Sequence, residues 1–77
     1  MAMDTINPLA LRKVLARNMR IRRAELAISQ DEVAFRTGLT QAYLSGIERA
    51  KRNISLDTIQ KLAFALETTG SALLNMR

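Results

Sequence analysis

The sequence predicts a single all-α domain of five helices, on three observations. Apolar residues recur at three- and four-residue steps over most of the chain. Ser29, Thr40, Ser55 and Thr69 each stand just ahead of such a stretch, where helices take their N-caps. Residues that break helices are scarce, three Gly and one Pro in 77 residues. One of those glycines, Gly38, falls between two short periodic stretches.

The elements follow in order. Met1–Ile6 shows no period and reads as a loose arm, which ends at about residue 8 and leaves residues 9–77 as one domain. Asn7-Pro8 suits a helix start, Asn as cap and Pro at the first position. From Leu9 onward, Leu11, Val14, Leu15, Met19 and Leu26 share one stripe. Arg12, Lys13, Arg17, Arg20, Arg22 and Arg23 fill much of the rest, and the helix is expected to end near Ala27. Ser29-Gln30-Asp31-Glu32 is a capping box opening a second helix at about 30–37, with Val33 and Ala34 inward. Gly38 stops it, and Thr40 caps a third helix at about 40–49. Ala50–Ile54 is a basic connector. Ser55 opens a fourth helix with Leu56, Ile59, Leu62, Ala63 and Leu66 at helical spacing. Thr69 caps a short fifth, Gly70–Asn75, carrying Leu73 and Leu74. Phe35 and Phe64 are expected to pack.

Composition narrows the function. Cys and His are both absent, so no disulfide, thiolate metal site or histidine base is available. No phosphate-cradling glycine loop and no paired carboxylates appear either, so the expectation is no enzyme, no catalytic residue, no cofactor and no metal. The formal charge is +5, which suits a polyanionic partner. No apolar run approaches the roughly 18 residues that span a bilayer, and the N-terminus lacks a signal-peptide pattern. The expectation is a cytoplasmic protein of a bacterium or phage, at the nucleoid and not at a membrane.

Residues 29–49, SQDEVAFRTGLTQAYLSGIER, carry the function. Two short helices crossing steeply through a tight turn need a small residue where they touch, and Ala34 supplies it. The turn needs positive φ, and Gly38 supplies that. With Val33, Leu39, Leu44 and Ile47 inward, Gln41, Ala42, Tyr43, Ser45, Gly46 and Arg49 lie on or near the outer face of the third helix. That face is polar and uncharged at its start and basic at its end, which suits a groove of hydrogen-bonding bases walled by phosphates.

These residues resemble the helix-turn-helix of the Cro/C1 (XRE) repressor family. The likeness rests on Ser29-Gln30, Ala34, Gly38-Leu39, Leu44 and Ile47-Glu48-Arg49, and it extends over about Leu15–Leu74. It implies a λ-repressor-like fold and DNA binding. By resemblance, Gln41, Ala42, Tyr43, Ser45 and Arg52 are the base-reading candidates. Ser29, Gln30, Thr40, Arg49, Lys51 and Asn53 are the phosphate contacts, and Arg23 pairs with Glu48. Two residues depart from the pattern: Gly46 stands where some relatives carry a long reading side chain, and Arg22 where the family usually has an apolar one. Tyr43–Arg49 with Arg52-Asn53 is also similar to restriction–modification controller proteins.

Each feature also has a plainer role. The basic face of the first helix reads as solvated, the capping box is structural first, and Tyr43 suits packing against the second helix as well as DNA contact. Leu73, Leu74 and Met76 are assigned to a dimer interface in preference to the monomer core. The leading expectation is a homodimeric regulator of a near-palindromic duplex operator. Its alternative is an antitoxin that binds a toxin protein and its own promoter. Double-stranded DNA and a second copy are thus the expected partners, with RNA polymerase or a toxin protein as the candidate protein partners.

Overall fold

The computed structural model describes residues 10–76. The expected arm over residues 1–8 and the Asn7-Pro8 helix start lie outside the described residues. Five helices follow: α1 (Ala10–Leu26), α2 (Gln30–Thr37), α3 (Gln41–Glu48), α4 (Leu56–Ala65) and α5 (Gly70–Leu73). The architecture is all-helical, as expected, with the final helix two residues shorter than its pattern suggested.

The four hydroxyl caps form. Ser29, Thr40, Ser55 and Thr69 sit in extended backbone and accept from the amides of Glu32, Tyr43, Thr58 and Ala72. Each fills one amide that the first turn leaves unbonded. The reciprocal arm of the expected box is diverted, because the Glu32 carboxylate takes Arg36 Nε at 2.9 Å, one turn on. Gly38 ends α2 at φ 75°. Three other helices end without glycine: Ala27, Ala50 and Glu67 hold φ of 56°, 60° and 55°. In each the following amide reaches back five residues, Ile28 to Arg23, Lys51 to Gly46 and Thr68 to Ala63, which is the Schellman closure.

One core unites the helices. Leu15 and Met19 of α1, Val33 of α2, Leu44 and Ile47 of α3, Leu62, Ala63 and Leu66 of the α4 segment and Leu73 of α5 are all buried together. Packing joins α1 to α3 and α5, α2 to α3 and α4, and α4 to α5. Two polar side chains complete the frame. Asn18 donates from Nδ2 to the carbonyls of Leu73 at 2.8 Å and Asn75 at 3.0 Å, so α5 is hung on α1. Arg22, at the position where the family pattern is apolar, donates to Leu66 O at 2.8 Å and Glu67 O at 3.0 Å. It thereby satisfies carbonyls that the end of α4 leaves open.

Several apolar expectations are corrected. Phe35 and Phe64, expected to pack, are 84% and 83% exposed. Each is on the outer side of a short helix whose inner stripe is already filled by Val33 on α2 and by Leu62, Ala63 and Ala65 on α4. Leu56 is 79% exposed, because the first turn of α4 extends beyond the core. Leu73, assigned to a dimer interface, is buried inside the protomer and is not offered to a second copy.

Candidate nucleic-acid interface

The turn between α2 and α3 is closed by backbone and side-chain bonds together. Gly38 N–H donates to Ala34 O at 2.8 Å. Thr37 Oγ1 donates to Val33 O at 2.8 Å and accepts from Leu39 N at 3.2 Å, which spans the turn. Leu39 is half-buried against the core, and Thr40 then caps α3 through Tyr43 N at 3.1 Å. Because Ser29 and Thr40 accept through oxygen, each hydroxyl keeps its proton to donate outward. Both residues are exposed.

The far end of α3 is fixed by Glu48, which is nearly buried. Arg23 grips its carboxylate with two bonds, Nε to Oε2 at 2.7 Å and Nη2 to Oε1 at 2.9 Å. Gln30 Nε2 adds a third at 3.0 Å, and Arg23 Nη1 also donates to Ile28 O. The Glu48 carbonyl takes Arg20 Nη1. Burial by itself raises the Glu48 pKa, but the Arg23 and Gln30 bonds and the charges of Arg23 and Arg20 outweigh it and hold the group below its ordinary value. The same bond to Glu48 raises the Arg23 pKa. The α1–α2 junction is thus tied to the end of α3 through one carboxylate. The role of Arg20 was not read from the sequence, although it lies three residues before Arg23 and so on the same face.

The outward face of α3 is distributed unevenly. Gln41, Ala42 and Arg49 are exposed, and Tyr43 and Ser45 are half-buried. Tyr43 packs on the core and also carries a cation, since Arg52 Cζ lies 5.1 Å from its ring centroid. Gly46, expected on or near the outer face, is buried instead. Arg52 crosses it, and a Cβ at Gly46 would stand 3.1 Å from Arg52 Cγ and 3.2 Å from Nε. Lys51, Arg52 and Asn53 are exposed in the connector to α4. Gln30 is half-buried, with part of its amide given to Glu48. The sequence-derived candidates therefore converge on α3 and its two flanks.

Two neighbouring surfaces complete the picture. Lys13, Arg17 and Arg20 of α1 line a groove with Arg49, so the basic face of α1 continues from the end of α3. Leu11, Ile54, Leu56, Ile59 and Leu74 line an apolar groove beside Arg52 and Asn53. Leu74 is half-buried there, and Met76, two residues on, is 45% exposed. No group of three or more acidic residues among the described residues is placed to hold a metal ion.

Comparison with known proteins places this geometry. A helix-turn-helix family model, HTH_3, matches residues 19–73. A hypothetical transcription factor of Neisseria meningitidis is 45% identical over 64 residues, which is 83% of this chain and 60% of that protein. The crystal structure of the restriction–modification controller protein C.AhdI from Aeromonas hydrophila superposes with a TM-score of 0.77. It is 37% identical, over 80% of this chain and 94% of that one. The controller protein C.Esp1396I, solved as a tetramer in complex with its natural 35-base-pair operator, gives 0.75 at 25% identity, over 82% of this chain and 83% of that one.

Proposed function

As this chain belongs to the HTH_3 helix-turn-helix family, we propose that it is a transcriptional regulator that binds duplex DNA as a homodimer, with α3 in the major groove. The observation that carries this is the face of α3. Gln41 and Ala42 are exposed, and the donors Ser29, Thr40, Arg49, Lys51 and Asn53 flank them on both sides. Gln41 offers a bidentate amide that suits adenine, and Ala42 offers a methyl surface that suits thymine. The flanking hydroxyls and cations supply phosphate contacts, which fix register without reading sequence. The likeness to C.AhdI and C.Esp1396I favours the controller class of regulator, and the operator complex of C.Esp1396I supports duplex DNA as the partner.

The second copy is best accommodated on the apolar groove. We assign this contact to Leu11, Leu56 and Leu74 of the groove, with the exposed Met76 two residues beyond Leu74, and not to Leu73, which is consumed by the core. Two recognition helices then present to sites one helical turn of DNA apart, about 34 Å.

Selection of bound duplexes from a random pool, followed by titration over a range of salt, tests the reading. The expected result is a near-palindromic site, with log K falling linearly in log salt by roughly 0.9 per neutralised phosphate. Affinity that is indifferent to salt, or a pool that yields no preferred duplex, would refute it.

A further inference from the structure

We propose that the basic stripe of α1 is a second phosphate-binding surface, which holds the backbone of the same duplex beyond the phosphates that the helix-turn-helix reaches. The inference rests on α3 being the helix that enters the groove. It replaces the expectation that this face is only solvated.

The first observation is placement. Lys13, Arg17 and Arg20 stand four and three residues apart on α1 and so form one stripe. All three are exposed, and they line a groove whose other side is Arg49 and Ala50 at the end of α3. Arg49 flanks the reading face, so the stripe is continuous with the proposed DNA surface.

The second is charge. Arg22, Arg23 and Arg36 are matched by Glu25, by Glu48 and by Glu32 with Glu67. The groove holds one carboxylate, Glu48, which is buried and already taken by Arg23 and Gln30. Neither Lys13 nor Arg49 has a side-chain hydrogen bond or ion pair among the described residues. Lys13 and Arg17 are also like charges one turn apart, which costs a helix a few tenths of a kcal/mol. Phosphates in the groove relieve that repulsion.

The third is the state of Arg20. Its Nη1 donates to Glu48 O, one of the five guanidinium donors. Arg20 is thereby anchored to the end of α3 with most of its fork unspent. An anchored side chain loses less freedom on binding, and phosphate oxygen is a strong acceptor for it. From Lys13 to Arg20 the stripe runs about 10 Å along the helix. That length matches roughly three phosphates of one strand at 3.4 Å of axis each. Cations spread over it fit a row of phosphates better than one small anion. Such contacts fix register and add affinity without reading bases.

The test uses duplexes selected from a random pool by the full chain. The wild type is compared with K13Q, with K13Q/R17Q and with the charge-conserving K13R/R17K. Arg17 also interacts within the protein, so K13Q alone decides if R17Q lowers the melting temperature. The slope of log K against log salt should be shallower by roughly 1.8 in K13Q, one contact in each of two protomers. It should be shallower by about 3.6 in K13Q/R17Q and unchanged in K13R/R17K. All four should rank the selected duplexes in the same order. A neutral methylphosphonate placed at each backbone position in turn then locates the contacts. K13Q/R17Q should become insensitive at positions where the wild type and K51A remain sensitive. A K13Q slope equal to the wild type would overturn the proposal and leave the regulator reading in place. So would a shallower slope with an unchanged methylphosphonate map, because the stripe would then act as a distant field and not as a contact. A wild type that selects no duplex would overturn the regulator reading and this inference with it.

Discussion

A carboxylate withdrawn from water costs several kcal/mol unless its lone pairs are filled, and Glu48 meets that cost with Arg23 and Gln30. Removing one partner leaves the other charge buried. R23A is therefore expected to lower stability by about 3 kcal/mol, the lower end for a buried pair because Arg23 keeps 22% of its surface. A urea titration at neutral pH reads this as a lowered midpoint with an unchanged slope. The pH dependence has a definite sign. The native pKa of Glu48 lies below its unfolded value, so its contribution is complete above the unfolded pKa and is lost as pH falls through the native one. E48Q should flatten this part of the acid limb, and the E48Q and wild-type melting curves should converge in acid. The pairing of Arg23 with Glu48 was legible by resemblance, and the caps at Ser29 and Thr40 by residue type. The burial of Gly46 was not, because it depends on Arg52, six residues on, folding back across the helix.

At the scale of elements, α5 has four residues, too few to hold a helix by its own hydrogen bonds. It persists because Leu73 is buried and because Asn18 holds the carbonyls at its end. N18A is expected to cost about 1–3 kcal/mol and to speed hydrogen exchange at Leu73, Leu74 and Asn75 before that of α3. The same bonds explain why the helix is shorter than its pattern: the carbonyls of Leu73 and Asn75 turn to Asn18. Among the described residues, periodicity located every helix, and residue type the four hydroxyl caps. It did not reveal how wide each buried stripe would be. On α4 the stripe Ile59, Leu62, Ala63, Leu66 leaves Phe64 outside it, so the exposed phenylalanine follows from spacing once the inner face is known to be full. On α2, eight residues provide room for Val33 and Ala34 on the core side, and Phe35 points away.

For the whole molecule, a domain of this size buries a modest share of its surface, and a second copy adds what the monomer lacks. In the proposed dimer, that gain is taken at the groove of Leu11, Leu56 and Leu74. L56D should shift the dimer to monomer in sedimentation and lower operator affinity. It should leave monomer stability within about 0.5 kcal/mol, since Leu56 is already exposed in the protomer. A dimer that resists this change would place the interface elsewhere.

The helix ends at Ala27, Ala50 and Glu67 have a consequence for engineering. A side chain with a β-carbon held at left-handed φ is strained, whereas glycine at the same φ is not. The fold thus sits below the stability its own backbone permits, and the margin lies in three corners, of which Ala50 stands between the proposed phosphate contacts Arg49 and Lys51. A27G is expected to add about 0.5–1 kcal/mol after the extra freedom of unfolded glycine is deducted. In a domain this small that raises the melting temperature by about 2–8 °C. Thermal robustness in this chain is adjustable at its joints, and Ala27 and Glu67 are the two whose immediate neighbours in sequence are not assigned to DNA.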